Sequence, residues 1–422
     1  MVPTANKPAA GVPFYTPAQD PPAGTASDPD AAPTLFRQLR IRDVRLANRV
    51  VLSPMCQYSA RDGHLTDYHL VHLGQFALSG AALTMVEASA VEPRGRISPE
   101  DSGIWAASHV APLRRITDFV HSQNQKVGIQ LAHGGRKAST LAPWLREGHA
   151  PAARVVAGEA DGGWPDDVVA PSAIPYADDW PAPRELSVPE IEAIVEAFAA
   201  AARRAVEAGF DVVEIHAAHG YLLAEFLSPL TNRRTDRYGG SFENRIRLVV
   251  QVIQAVRAAV PAGMPVFLRI SATEWMEHTG EPTWDLQQSI RLAQLLPGLG
   301  VDLLDVSSGG NSAAQKIDLH PYYQVELAGQ IRAALRREGK QLLVGAVGMI
   351  SSGKMARDIV QGSGDDETSA ADEGDGHRPQ ADVVLVGRQF LREPNFVLKM
   401  AKELGVAVKW PNQYHRAPRV HG

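Results

Sequence analysis

Cysteine is almost missing from this chain. With Cys56 alone in 422 residues, no intrachain disulfide, paired-cysteine redox centre, cysteine zinc site or protein-ligated iron–sulfur cluster can form, and a reducing compartment fits. Long hydrophobic runs are missing too; none approaches the length of a membrane span. Aromatic residues are only 6% of the chain and the formal charge is −5. No basic stripe with interleaved aromatics appears, so nucleic acid is excluded as the main partner and small molecules remain. No GxGxxG follows a strand-like run, so a Rossmann dinucleotide site is unsupported, and HExxH is absent. The start of the chain has neither the basic and apolar stretches of a secretory signal nor the composition of a mitochondrial presequence, and the reading is a cytoplasmic protein. What is present is ordinary for a globular protein: 45% hydrophobic and 21% charged residues.

Residues 1–33 hold eight Pro and eight Ala with few large apolar side chains, too little to offset the entropy of ordering, and read as an extended or disordered arm. Beyond them a pattern recurs eight times: a short β-branched apolar run, small or polar residues, then a stretch with helical spacing. The runs are 50–52, 83–86, 127–131, 212–215, 266–270, 303–306, 342–344 and 383–386. Near-continuous apolar strands are the mark of a parallel sheet covered on both faces. Eight of them alternating with helices predict an α/β (β/α)8 barrel over 34–408, with chemistry at the C-terminal strand ends. The clearest helix starts after Ser187, which forms a capping box with Glu190, shows an apolar face of Ile191, Ile194, Val195, Phe198 and Ala202, and ends at Gly209. Two insertions interrupt the pattern. Residues 139–186, after the third strand, carry Trp144, Trp164 and Trp180 and read as a lid. Residues 362–381, before the eighth strand, carry six acids and one Arg and read as a solvated acidic loop on the opposite face. Residues 409–422 form a tail.

At the strand ends, His216, His219 and Tyr221 follow the run Val212-Val213-Glu214-Ile215, which sets three proton-handling side chains at the mouth of a buried strand. Two histidines three residues apart could also serve a metal-dependent barrel hydrolase, although no third ligand lies near them. The loops after strands seven and eight read Gly345-Ala346-Val347-Gly348 and Gly387-Arg388. Glycines let backbone N–H groups approach an anion and the arginine adds charge and a fork of donors, so a phosphate-bearing ligand is expected there.

Four segments carry a resemblance: Ser53-Pro54-Met55-Cys56-Gln57-Tyr58-Ser59, Gln130-Leu131-Ala132-His133-Gly134-Gly135-Arg136-Lys137, His216-Ala217-Ala218-His219-Gly220-Tyr221, and Asn232-Arg233-Arg234-Thr235-Asp236-Arg237-Tyr238-Gly239-Gly240-Ser241. In order and spacing they resemble the Old Yellow Enzyme family of flavin ene-reductases, from about Leu35 to Arg416. Cys56 with the His216/His219 pair is similar to the thermophilic-like subgroup; the yeast-like one has threonine and a His/Asn pair there. The added N-terminal arm and acidic loop look like fungal members. The resemblance implies non-covalent FMN on top of the barrel, bound at Pro54, Met55, Cys56, Ala88, Gln130, Arg269, Gly348, Gly387 and Arg388, with Arg269 beside the N1/O2 side of the flavin and Arg388 at its phosphate. It also implies NAD(P)H as reductant, with NADPH favoured, and a small activated alkene as substrate. Hydride would pass from flavin N5 to the β-carbon while His216 and His219 polarise the carbonyl or nitro oxygen and Tyr221 gives a proton to the α-carbon. Cys56 would adjust the flavin potential and Tyr58 would reach the substrate or its rim. Lys137 is either a structural ion-pair residue or a catalyst. Arg416 matches an arginine that crosses a homodimer interface, so a homodimer or dimer-based tetramer is expected, although Ala417-Pro418-Arg419 departs from the usual ending. Related iron–sulfur reductases are excluded by the single cysteine. A non-catalytic flavin-binding redox sensor acting through Cys56 stays open as a reading.

Overall fold

The computed structural model describes residues 6–146, 155–362 and 378–417. Twelve strands are present among them: β1 (Leu39–Ile41), β2 (Val44–Leu46), β3 (Val50–Leu52), β4 (Leu83–Ala90), β5 (Lys126–Ala132), β6 (Val169–Ala170), β7 (Arg184–Glu185), β8 (Val212–Ala217), β9 (Val266–Ser271), β10 (Leu303–Ser307), β11 (Leu343–Val347) and β12 (Val383–Val386). Eight of these close into one barrel in the order β3-β4-β5-β8-β9-β10-β11-β12, all pairs parallel. The molecule is a (β/α)8 barrel, and each of the eight apolar runs in the sequence lies on one barrel strand. Helices return the chain after each strand, among them Asp67–Leu78, Val110–Ser122, Val188–Ala208, Arg247–Ala259, Val325–Arg337 and Gly353–Gln361.

Two apolar cores result from the alternation of side chains along each strand. Outward residues such as Val213, Ile215, Leu304 and Val344 pack under the helices. Inward residues at the strand starts, including Val51, Met85, Val212, Phe267, Leu303 and Leu385, fill the lower barrel, and Ile41, Val44 and Leu46 of the β1–β2 hairpin close its floor. The helix Val188–Ala208 follows its sequence signals: the Glu190 carboxylate accepts from the Ser187 N–H at 2.9 Å and hydroxyl at 2.7 Å, and Gly209 ends the helix at φ +92°.

Of the two states expected for residues 1–33, the described part is extended and lies against the barrel floor. Asn48 Nδ2 donates to Gly24 O, Gln125 Nε2 to Ala23 O, and the Gly24 and Lys409 backbones bond each other's segment. Backbone hydrogen bonds supply what the side chains lack. Phe14 stacks on Phe119 with ring centroids 6.5 Å apart. In the lid region β6 and β7 make a two-stranded parallel ribbon, Arg96 lies over Trp164, and Arg136 Nη1 donates to Pro175 O at 3.1 Å. Most of the acidic loop, residues 363–377, lies outside the described residues.

Candidate active site

A cavity of about 570 Å³ opens at the C-terminal ends of the barrel strands. Pro54, Met55 and Cys56 reach it from the loop after β3, and Ala88 and Gln130 from β4 and β5. His216, His219 and Tyr221 come from the end of β8, Arg269 from β9, Gly348 from the β11 loop, and Gly387 with Arg388 from the β12 loop. Thus the nine positions proposed to hold a cofactor and the three proposed for catalysis line one space, although they span more than 330 residues of sequence. Tyr58 and Arg416 do not line it. Tyr58 sits at φ +49° and meets Trp144 edge-on at 5.4 Å, which ties the Cys56 loop to the lid. Arg416 is exposed. Its tail is bonded through Asn412 and Gln413 to Ala18 and Gln19, and Gln19 O accepts from Asn124 Nδ2, just before β5, so the tail leaves its own barrel on the side away from the cavity.

The turn after β8 is tightly built. His219 adopts φ +62° and Gly220 φ +68°. A Cβ on Gly220 would come within 2.3 Å of Gly310 O, so that position requires glycine. His219 N donates to Ser271 Oγ at 2.8 Å, its Nε2 lies 2.7 Å from Ser307 Oγ, and Lys137 Nζ donates to both His219 O and Gly310 O, at 2.9 and 3.0 Å. The His216 ring stands edge-on to those of His219 and Tyr221, with centroids 5.1 and 5.2 Å away. Lys137 Nζ sits between the Tyr176 and Tyr221 rings at 4.8 and 5.0 Å. Of the two uses weighed for Lys137, the contacts favour a structural one, though to backbone carbonyls and rings rather than to an acid.

Burial, reinforced by Arg269 and Lys137, drives both histidines well below their usual titration range, so each imidazole is neutral at pH 7. His216 lines the cavity, and its Nδ1 is buried without a hydrogen-bond partner, an exception to the rule that buried polar atoms are paired. Burial, with Cys56 and Tyr58 adding to it, raises the Tyr221 phenol well above its ordinary value, so it stays protonated. Burial likewise raises the Cys56 thiol, helped by Asp101 and Glu87. Burial and Arg136 lower Lys137 to about 8.

Beneath the cavity lies a buried polar layer. Arg269 Nε is 3.1 Å from Asp305 Oδ2 and its Nη1 is 3.3 Å from Ser53 Oγ, while Gln130 Nε2 donates to Glu214 Oε1 at 2.7 Å. On the other wall, Gln324 donates to Val347 O and accepts from Ser308 Oγ, both at 2.8 Å. A Cβ on Gly348, whose φ is +112°, would fall 2.4 Å from Gln324 Nε2. Ser307, Tyr323, Gln324, residues 349–351 and Arg392 also line the cavity. Ser307 stands at the end of β10, a strand end at which sequence reading looks for polar groups, whereas Tyr323, Gln324 and Arg392 were not singled out, because they follow no strand end closely and carry no local mark of their role. Among the described residues no group of three His, Cys, Asp or Glu is placed to hold a metal ion.

Residues 34–406 match the family model described as the NADH:flavin oxidoreductase / NADH oxidase family. An NADH:flavin oxidoreductase of Gibberella zeae is 48% identical over 417 residues, 97% of this chain and 94% of that one. An NADPH dehydrogenase of Bacillus subtilis is 40% identical over 384 residues, 90% of this chain and 98% of that one. The solved structure of morphinone reductase superposes with TM-score 0.66 at 26% identity, covering 90% of this chain and 92% of that chain. With barrel, cavity and relatives in agreement over nearly the whole length, the chain belongs to the NADH:flavin oxidoreductase / NADH oxidase family and is an oxidoreductase of the Old Yellow Enzyme kind.

Proposed function

We propose that the protein is an NAD(P)H-dependent ene-reductase that binds FMN non-covalently and reduces the C=C bond of alkenes conjugated to a carbonyl or nitro group. The observation that carries this reading is the convergence of His216, His219 and Tyr221 on the same cavity as Arg269, Gln130 and the Gly348 and Gly387-Arg388 loops. The residues present fit the cofactor. Arg388 and the glycine loops offer charge and close backbone approach to a phosphate. Gln130 offers hydrogen-bonding groups to the edge of a flavin ring, and Arg269 supplies positive charge under it. The orphaned His216 Nδ1 offers a hydrogen bond to a substrate oxygen. When bound, FMN supplies the hydride chemistry, taking hydride from the nicotinamide and delivering it to the alkene.

This chain's own residues do the rest. Neutral imidazoles at His216 and His219 donate N–H hydrogen bonds to the oxygen that gains charge as hydride arrives at the β-carbon. Which ring nitrogen carries the proton follows from the partner of the other; Ser307 Oγ faces Nε2 of His219. Tyr221, kept protonated by burial, gives its proton to the α-carbon. Tyr58 and Trp144, joined edge to face, form a rim through which the lid limits substrate size. Because the tail leaves on the far side of its own barrel, Arg416 serves a neighbouring copy's site in a homodimer. NADPH is the favoured reductant, the matched Bacillus relatives being named for it, and a cytosolic setting fits the single cysteine. The raised thiol speaks against the alternative of a redox sensor acting through Cys56, since the thiolate is the reactive form.

The test is the visible spectrum of the purified protein supplied with FMN, followed without oxygen by NADPH and then 2-cyclohexenone. A flavin band that bleaches and then returns with the enone is expected. Bleaching without recovery would remove the alkene half of the proposal, and a protein that takes up no FMN would remove all of it.

A further inference from the structure

The polar layer under the cavity holds two acids against one cation. Glu214 and Asp305 are fully buried, and Arg269 is 6% exposed. Arg269 reaches Asp305 at 3.1 Å. Glu214 Oε1 has the Gln130 amide, but Glu214 Oε2 and both Asp305 carboxylate oxygens have no hydrogen-bond donor, the Arg269 contact being an ion pair without hydrogen-bond geometry. Among the described residues nothing else near them carries charge: β3 contributes Ser53, β5 Gln130, β9 Phe267 and Arg269, and β11 Gly345, while His216 above Glu214 is neutral. With both acids ionised, the layer would carry one uncompensated negative charge among fully buried side chains. Such a site neutralises itself by taking up a proton, because desolvating a lone charge costs more than protonating it.

We propose that Glu214 and Asp305 are positioning residues that share a single proton, holding the Arg269 guanidinium in place and keeping the layer beneath the cavity electrically neutral at neutral pH. Burial and the neighbouring Asp305 raise Glu214 to about 8, and burial raises Asp305. The pair therefore gives up its proton to solvent only above neutrality, and the layer then turns negative. The proposal's consequence for the cofactor rests on the FMN reading: Arg269 keeps its full effect on flavin reduction while the pair is protonated and loses part of it once the proton leaves.

Infrared difference spectra of the cofactor-free protein test the shared proton without relying on FMN. Wild type minus Glu214→Gln and wild type minus Asp305→Asn, both at pH 7, are each expected to contain one protonated-carboxyl carbonyl band. In either variant the remaining acid faces Arg269 alone and ionises. The buried acids Asp101 and Glu225, raised by burial to about 7 and about 8, cancel in the difference. A band missing from both differences, or present in only one, overturns the proposal. Should the variants fail to fold, the FMN-loaded wild type decides: its midpoint potential is expected to fall more steeply with pH around 8, and a plot without a break there overturns the proposal. Failure to bind FMN would bear on the cofactor reading and leave the infrared result standing.

Discussion

The lower and upper halves of the barrel interior are made by the same strands and obey opposite rules. On β8 the inward sequence runs Val212, Glu214, His216; on β9 Phe267, Arg269, Ser271; on β10 Leu303, Asp305, Ser307. Two residues along a strand move the interior from a dry apolar plug to a polar floor in which several buried atoms lack partners. The lower layer is stable because it excludes water. The upper layer is useful because its polar groups are desolvated without being fully satisfied, and it relies on the plug and the outer helices for the free energy to stay that way.

The largest expected effect lies in the upper half. Tyr221→Phe removes the proposed proton donor and should slow alkene reduction by about 100- to 10,000-fold, leaving bleaching by NADPH close to wild type. Stopped-flow measurement of the two half-reactions separates them, and equal slowing of both would put Tyr221 in binding instead. In the lower half, Phe267→Ala should cost about 3–5 kcal/mol of stability, read from urea unfolding, with the flavin spectrum of the folded fraction unchanged. A variant that lost FMN before it lost stability would merge the two halves.

The smallest effect sharpens the contrast from outside the barrel. Burial holds His72 and His109 down at about 4. Above an unfolded-state value of about 6.5 both states are neutral there and nothing is lost. Below it the unfolded chain takes up protons that the native state refuses, so stability falls as pH drops from 6.5 towards 4. By pH 5 the loss should be about 1–2 kcal/mol apiece, after solvent screening. Glutamine at both positions should flatten the pH dependence of the urea midpoint; an unchanged slope would place the acid sensitivity in the barrel.

The barrel was legible because each strand is a compact β-branched run, and a run buried on both faces tolerates little else. The cavity was legible for the same reason, since chemistry follows strand ends. Glu214 and Asp305 were overlooked although they had a signal: each is the single acid inside an otherwise apolar run, VVEI and LLDV, and an acid placed there is paid for by a partner. Gln324 had none. It lies 17 residues beyond Ser307, and only tertiary folding brings it against Val347. For the N-terminal arm composition left two states open, extended or disordered, because the contacts of its described part include hydrogen bonds from Asn48 and Gln125 to its backbone carbonyls, which side-chain hydropathy does not register.

The left-handed backbone at His219 restricts more than that residue's position; it sets which substitutions the lineage can accept. Most side chains are disfavoured at φ +62°, whereas asparagine, aspartate and histidine tolerate it through local polar contacts. Of these, only asparagine and histidine can offer a neutral N–H donor at pH 7. An exchange between histidine and asparagine at this position, the difference expected between the thermophilic-like subgroup this sequence resembles and the yeast-like one, is therefore the narrow passage that the main chain leaves open for a donor whose pH response can change while its aim does not.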